Sequence, residues 1–150
     1  MSDEFRGLLQ DFIRRFGLLE SDRTPCGTPM PPSDAHALMC LREAGEAGLL
    51  QTAIVSRLAI DKSTASRIIG RMVERGHVEA APATDDGRAR PVRLTKKGMR
   101  GANEVEQSST RRFATLLENV PARRRTQVVE SLRDIVAALD KLDTESEKPR

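Results

Sequence analysis

The stretch from Leu49 to Gly98 is the part around which the chain is organised, because its apolar spacing changes twice. Over Lys62–Arg75, the residues Ala65, Ile68, Ile69, Met72 and Val73 recur at helical spacing and form one apolar stripe. Asp61 or Ser63 can cap the start of this helix by accepting from its orphan backbone N–H groups, and Gly76 is a good stop. A shorter helix precedes it, Gln51 to Leu58, with Ile54, Val55 and Leu58 as the inward side. Ala59-Ile60 forms the turn between the two, where a glycine is more usual. After Gly76 the period shortens: His77–Ala83 reads as a strand and Arg90–Thr95 as its partner. Thr84 to Ala89 is the tip, with Asp and Gly favouring a turn, and Pro91 confines its strand to a sheet edge. Two helices, a tight turn and a hairpin in this order predict a mainly α fold with a small β-hairpin wing, a winged helix-turn-helix.

The polar face of the second helix carries Lys62, Ser63, Thr64, Ser66, Arg67, Gly70 and Arg71. Short hydroxyls let a helix sit deep in the major groove of duplex DNA, and Arg can bridge O6 and N7 of guanine. Arg88 and Arg90 at the hairpin end suit a minor groove or its flanking phosphates. Charge agrees with this placement. Arg57 to Arg100 holds eleven Lys/Arg against five Asp/Glu, so the rest of the chain is net acidic although the total is +3. A basic lobe on an acidic scaffold is the electrostatic footprint of a DNA binder. With no Trp, no Tyr and four Phe, the composition argues against base stacking on single strands.

These residues resemble the MarR family of bacterial transcriptional regulators. The likeness rests on Thr64-Ala65-x-Arg67, Met72-Val73, Gly76-His77-Val78, Asp86-Gly87-Arg88, Thr95 and Gly98, all at the spacing of that family. It implies a homodimeric repressor or activator whose binding to double-stranded DNA responds to a small molecule, a metal or an oxidant. It also implies that Asp86 stabilises the wing while Arg88 is presented to DNA. Two positions depart from the pattern. Leu50 stands where a helix-capping Thr or Ser is common, and Gly87 where Arg is frequent.

The flanks fit one domain, with residues 34–98 as the DNA-binding lobe and residues 3–20 and 99–143 as a helical dimerisation region. Asp3–Glu20 reads as an amphipathic helix with Phe5, Leu8, Leu9, Phe12, Ile13, Phe16 and Leu19 on one side. So much apolar surface needs a partner. Ser21–Pro32 holds four of the eight prolines and reads as a stiff connector. Ser33 can then cap a helix over Asp34–Ala44, with Ala37, Leu38 and Leu41 inward. A helix from Gly98 to Glu118 follows the wing, and Asn119-Val120-Pro121 breaks it before a last helix lined by Val128, Val129, Leu132, Ile135, Val136, Leu139 and Leu142. A dimer has a physical rationale, since two lobes about 34 Å apart read consecutive major-groove faces of a palindrome.

Cys26, His36 and Cys40 are the residues with sensing chemistry. His36 and Cys40 are four apart and share a helix face. Thiolate and imidazole suit soft metal ions, and an exposed low-pKa thiol suits an oxidant. A small buried hydrophobe is the plainer role for Cys40, and a hydrogen-bonding role is the plainer one for His36. An organic effector therefore ranks first, thiol oxidation next and metal last, with no resident metal or cofactor expected. No Ser/His/Asp set, paired-carboxylate motif or phosphate loop is recognisable, so an enzyme is not expected. The softened cap and Gly87 motivate one more alternative, a protein-interaction module on the same fold. No apolar run reaches membrane-spanning length, and the N-terminus is acidic. With only two cysteines, these features set the expectation of a reducing cytoplasm.

Overall fold

The computed structural model describes residues 1–80 and 90–146. They fall into two units dividing between Thr110 and Arg111. The elements run α1 (Ser2–Phe16), α2 (Pro32–Ala44), a 3-10 turn (Gly45–Ala47), α3 (Gln51–Leu58) and α4 (Lys62–Glu74). Then come β1 (Val78–Ala80), β2 (Val92–Leu94), α5 (Lys96–Glu118), a second 3-10 turn (Ala122–Arg124) and α6 (Arg125–Ser146). Helices with one antiparallel hairpin are the fold class expected from the sequence.

The core of the first unit is where α2, α3 and α4 meet the hairpin and the start of α5. Leu38 and Leu41 of α2, Ile54 of α3, and Ile68 and Met72 of α4 are almost completely buried. Ala65 and Ala102 are small enough to let helices approach, and both are fully buried. Each large side chain contributes about 1.5–3 kcal/mol by leaving water. Val73 departs from the expected stripe and is half exposed, because the buried arc of α4 is narrower than its apolar sequence pattern.

Several ends differ from expectation for local reasons. The first helix stops at Phe16, not Glu20: Gly17 turns left-handed at φ 85° and its N–H closes on the Arg14 carbonyl. Leu18 and Leu19 keep the apolar rhythm going past that stop, which is why periodicity overruns it. Ser33 does not cap α2. The helix begins two residues earlier than expected, at Pro32, and the Pro31 carbonyl accepts from the N–H groups of Asp34 and Ala35. The Ser33 hydroxyl turns to Asp34 Oδ1 at 3.4 Å instead. The proline-rich connector contains a closed loop, in which the Thr28 N–H donates to Thr24 Oγ1 at 2.9 Å and both threonines are buried.

The α3 boundaries are those read from the sequence, and Leu50 is its N-cap without a side-chain bond. Ala59 ends α3 in the left-handed region at φ 50°, among the described residues the one non-glycine with positive φ. The hairpin pairs Val78 with Leu94 and Ala80 with Val92. Pro91 does not leave β2 as a free edge. Val92 exchanges two 2.8 Å backbone bonds with Leu49, so β2 is paired on both sides at that residue. The last helix starts at Arg125, after Pro121 and one 3-10 turn, and the Arg125 side chain caps the carbonyls of Glu118 and Val120.

Apolar surface is concentrated on α1 and α6. Phe5, Leu8, Leu9 and Phe12 on α1 are all more than two-fifths exposed, and so are Val128, Leu132, Val136, Leu139 and Leu142 on α6. Phe12 and Phe16 stack at a centroid distance of 5.0 Å. Among the described residues, no helix is long and apolar enough to cross a membrane.

Candidate nucleic-acid interface

The first turn of α4 is built on Asp61. Its Oδ1 accepts from the Thr64 N–H at 2.8 Å and from the Ser63 hydroxyl at 2.6 Å, and its Oδ2 accepts from the Thr64 hydroxyl at 2.7 Å. These bonds, the Ser63 hydroxyl first, hold the Asp61 carboxyl well below the usual carboxylate range. The carboxylate caps the orphan N–H groups and complements the positive end of the helix dipole. Gln51 Nε2 reaches the Lys62 carbonyl at 3.2 Å, tying the start of α3 to the start of α4.

Thr64 relays this order to Arg67. Its Oγ1 donates to Asp61 and accepts from Arg67 Nη2 at 3.0 Å. Lys62, Ser63, Ser66 and Arg67 are exposed, while Thr64 is half-buried. The N-terminal half of α4 thus offers one ammonium, three hydroxyls and one oriented guanidinium on a helix locked by its other face. That is the chemistry that major-groove edges accept.

Arg71 is placed differently from the expectation that it would stand on the open polar face. Its Nε donates to Asp34 Oδ2 at 3.1 Å and its Nη2 donates to Asp34 Oδ1. Hydrogen bonding to that carboxylate raises the guanidinium pKa further. Arg75, one turn on, also reaches Asp34 Oδ2 at 3.4 Å. The Asp34 side chain is only 4 % exposed, so the carboxylate lies inside the lobe beneath two cations. Sequence reading weighed Asp34 only as a companion to Cys26, His36 and Cys40 and did not pair it with an arginine. Its partners are 37 and 41 residues away, and no local pattern joins them.

The C-terminal end of α4 is fastened to the start of α5. Thr95 Oγ1 donates to the Gly76 carbonyl at 2.7 Å, Lys97 Nζ donates to the Arg75 carbonyl at 2.6 Å, and the Thr95 N–H donates to the His77 carbonyl at 3.0 Å. Burial, then Lys97 and Arg75, push the His77 imidazole below its ordinary pKa. Of the expected wing residues, Arg90 is exposed next to Pro91, whereas Asp86 and Arg88 lie outside the described residues. Across the hairpin, Arg93 Nε bonds Glu79 Oε1 at 3.0 Å.

Cys26 is half-buried, His36 is exposed, and Cys40 is half-buried against the core. Among the described residues, no group of three His, Cys, Asp or Glu side chains is arranged to hold a metal ion, so these three do not form such a set. Burial, followed by Glu43, raises the Cys40 thiol above its ordinary pKa. That is opposite to the shift that makes a thiol an efficient nucleophile.

Residues 28–89 match the model of the MarR family. Over 79 residues the chain is 35% identical to the HTH-type transcriptional repressor IacR of Pseudomonas putida, covering 52% of this chain and 46% of that one. The chain therefore spans about half the length of the curated relative it matches. It is also similar to the crystal structure of the PcaV transcriptional regulator from Streptomyces coelicolor, with a TM-score of 0.69 at 21% identity over 91% of this chain and 98% of that one. The structure of Bordetella bronchiseptica BpsR, a protein whose DNA binding is regulated by 6-hydroxynicotinic acid, gives 0.70 at 19% identity over 89% and 98%. Both likenesses speak to the fold.

Proposed function

We propose that this chain, which belongs to the MarR family, is a sequence-specific double-stranded DNA-binding transcriptional regulator, a repressor released by a small organic effector. The observation that carries the reading is the Asp61–Thr64–Arg67 relay, which caps α4 and orients a guanidinium on its exposed N-terminal face. Lys62, Ser63, Thr64, Ser66 and Arg67 read base edges and adjacent phosphates, while Arg88 and Arg90 position the lobe from the wing with Asp86 as its strut. Arg71 acts from within, through Asp34.

The homodimer uses residues 3–20 and 99–143. The apolar side chains left exposed along α1 and α6 support this, since rows of large hydrophobic residues on one helix mark an interaction face. Two copies present two α4 helices to a palindrome, with half-sites about one helical turn apart. An organic effector takes precedence over thiol oxidation because the Cys40 thiol is partly buried with a raised pKa. BpsR, similar in fold, offers a precedent for an aromatic acid. Action in the cytoplasm follows from the target. No catalytic step is part of this reading.

Selection of bound duplexes from a random pool at near-physiological salt tests it. An inverted repeat is expected, with affinity falling steeply as salt rises. A folded dimer that enriches no motif in the presence or absence of aromatic acids would leave the fold serving a protein partner instead.

A further inference from the structure

Arg67 and Arg71 on α4 and Arg75 at its C-cap fall four residues apart and make one row of cations on its surface. The three are not treated alike. Among the described residues, Arg67 bonds a neutral hydroxyl of its own helix at 3.0 Å and no carboxylate. Arg71 and Arg75 are both drawn to a single carboxylate on α2. That carboxylate is buried and its charge is met by at least three guanidinium N–H donors, whereas the two arginines remain about one-third and one-half exposed. A buried, fully paired acid beneath two half-exposed arginines is a poor source of net stability, because desolvation offsets most of the attraction. What the arrangement does provide is direction. Two long cationic side chains that would otherwise sweep the surface are held down against α2.

Resting on the DNA-binding reading above, we infer that Asp34 is a positioning residue that sets sequence specificity by dividing the arginine row. It withholds Arg71 and Arg75 from DNA phosphates and leaves Arg67 as the arginine of α4 that reads bases. Phosphate contacts carry no sequence information, so on random DNA, where no base contact fixes the register, α4 can settle wherever they are most numerous, a gain the register-bound operator does not share in full. Two free arginines beside the reading face would therefore strengthen binding to random DNA and let α4 settle in more than one register. Bidentate tethering at Arg71 also fixes the roll of α4 relative to α2, which decides where the Arg67 guanidinium points.

The test compares the protein and its Asp34→Asn variant on the selected operator and on a scrambled duplex, each over a range of salt. Concentrations are corrected for the active fraction by stoichiometric titration. In Asp34→Asn, binding to scrambled duplex is expected to tighten, and the log–log salt slope to steepen by about 0.9 for each arginine that reaches a phosphate. Operator-over-scrambled preference is expected to fall about ten-fold, the scale of one base contact. Adding Arg75→Gln to Asp34→Asn should return part of the slope. Arg75→Gln alone, which keeps the tethered Arg71 and its bidentate bonds to Asp34, should leave the wild-type slope unchanged. A shallower slope in that single variant makes Arg75 a phosphate contact and overturns the inference. So does an Asp34→Asn protein whose preference and slope both equal those of the wild type, the result of a purely structural role. A wild type that binds no duplex at any salt overturns the DNA-binding reading itself, and this inference with it.

Discussion

A Cβ placed on Gly98 would lie 1.9 Å from the carbonyl oxygen of His77. The same carbonyl accepts from the Thr95 N–H at 3.0 Å, so it cannot retreat without loosening the joint between α4 and α5. Gly98→Ala should therefore cost about 3 kcal/mol or more, at or above the upper end of ordinary overpacking, because the obstacle is backbone. Gly101, one turn further along α5, gives the opposite sign. Its added methyl would touch Leu38 Cδ1 at 3.5 Å, an ordinary contact, and Ala is the better helix former. Gly101→Ala should stabilise by up to about 1 kcal/mol. Urea denaturation of the two variants checks both signs, and equal effects would remove the close approach as the cause.

Ala59 stores strain in the turn between α3 and α4. At φ 50° its Cβ crowds the following carbonyl, a conformation that costs an L-residue about 1–2 kcal/mol. Glycine adopts it freely but loses more entropy on folding, so the expected net gain for Ala59→Gly is about 0.5–1 kcal/mol. The melting temperature should rise with DNA affinity unchanged. A fall would mean that the Ala59 methyl contributes packing that outweighs the strain.

Asp61 makes the stability of α4 depend on pH. Its folded-state pKa is depressed by the Ser63 and Thr64 hydrogen bonds, so its contribution is fully present well above the unfolded value of 3.8. As pH falls through that value toward the folded one, the unfolded state takes up the proton first and the contribution is lost. Asp61→Asn keeps a good capping side chain without the titrating charge. The variant should show less loss of stability than the wild type between pH 5 and about pH 3. Amide exchange at Thr64 should report it locally. Identical acid profiles for the two proteins would show that Asp61 plays no part.

Much of this was legible from the sequence where cause and effect are close in the chain. The α3 boundaries and the Asp61 cap rest on signals within four residues, and both are where the spacing places them. The buried face of α2 follows from Ala37, Leu38 and Leu41 in the same way. The overrun of α1 has a different origin: Gly17 signals a stop, but the apolar rhythm of Leu18 and Leu19 outweighs it. Contacts between distant segments left no trace in any local pattern. Leu49 pairs with Val92 and Asp34 with Arg71 because packing α2 and α4 on the hairpin brings them together, and neither residue type advertises its partner. Arg71 was thus indistinguishable from Arg67 by sequence, although the fold gives them opposite surroundings.

In the proposed reading Arg67 is where α4 meets DNA, and its effect should be confined to one base pair in each half-site. The Thr64 hydroxyl at 3.0 Å restrains the guanidinium before DNA arrives, which lowers the entropy lost on binding. Bidentate contact with guanine is worth about 1–3 kcal/mol of discrimination. Arg67→Ala should flatten the preference at that position by this amount, with smaller changes elsewhere. Thr64→Val should give the same pattern in weaker form, since it keeps the guanidinium and removes its restraint together with the hydroxyl bond to Asp61 Oδ2. Affinities for operators carrying each single-base substitution distinguish the outcomes. A uniform loss across all of them in Arg67→Ala would make Arg67 a phosphate contact, and sequence reading would pass to Lys62, Ser63 and Ser66.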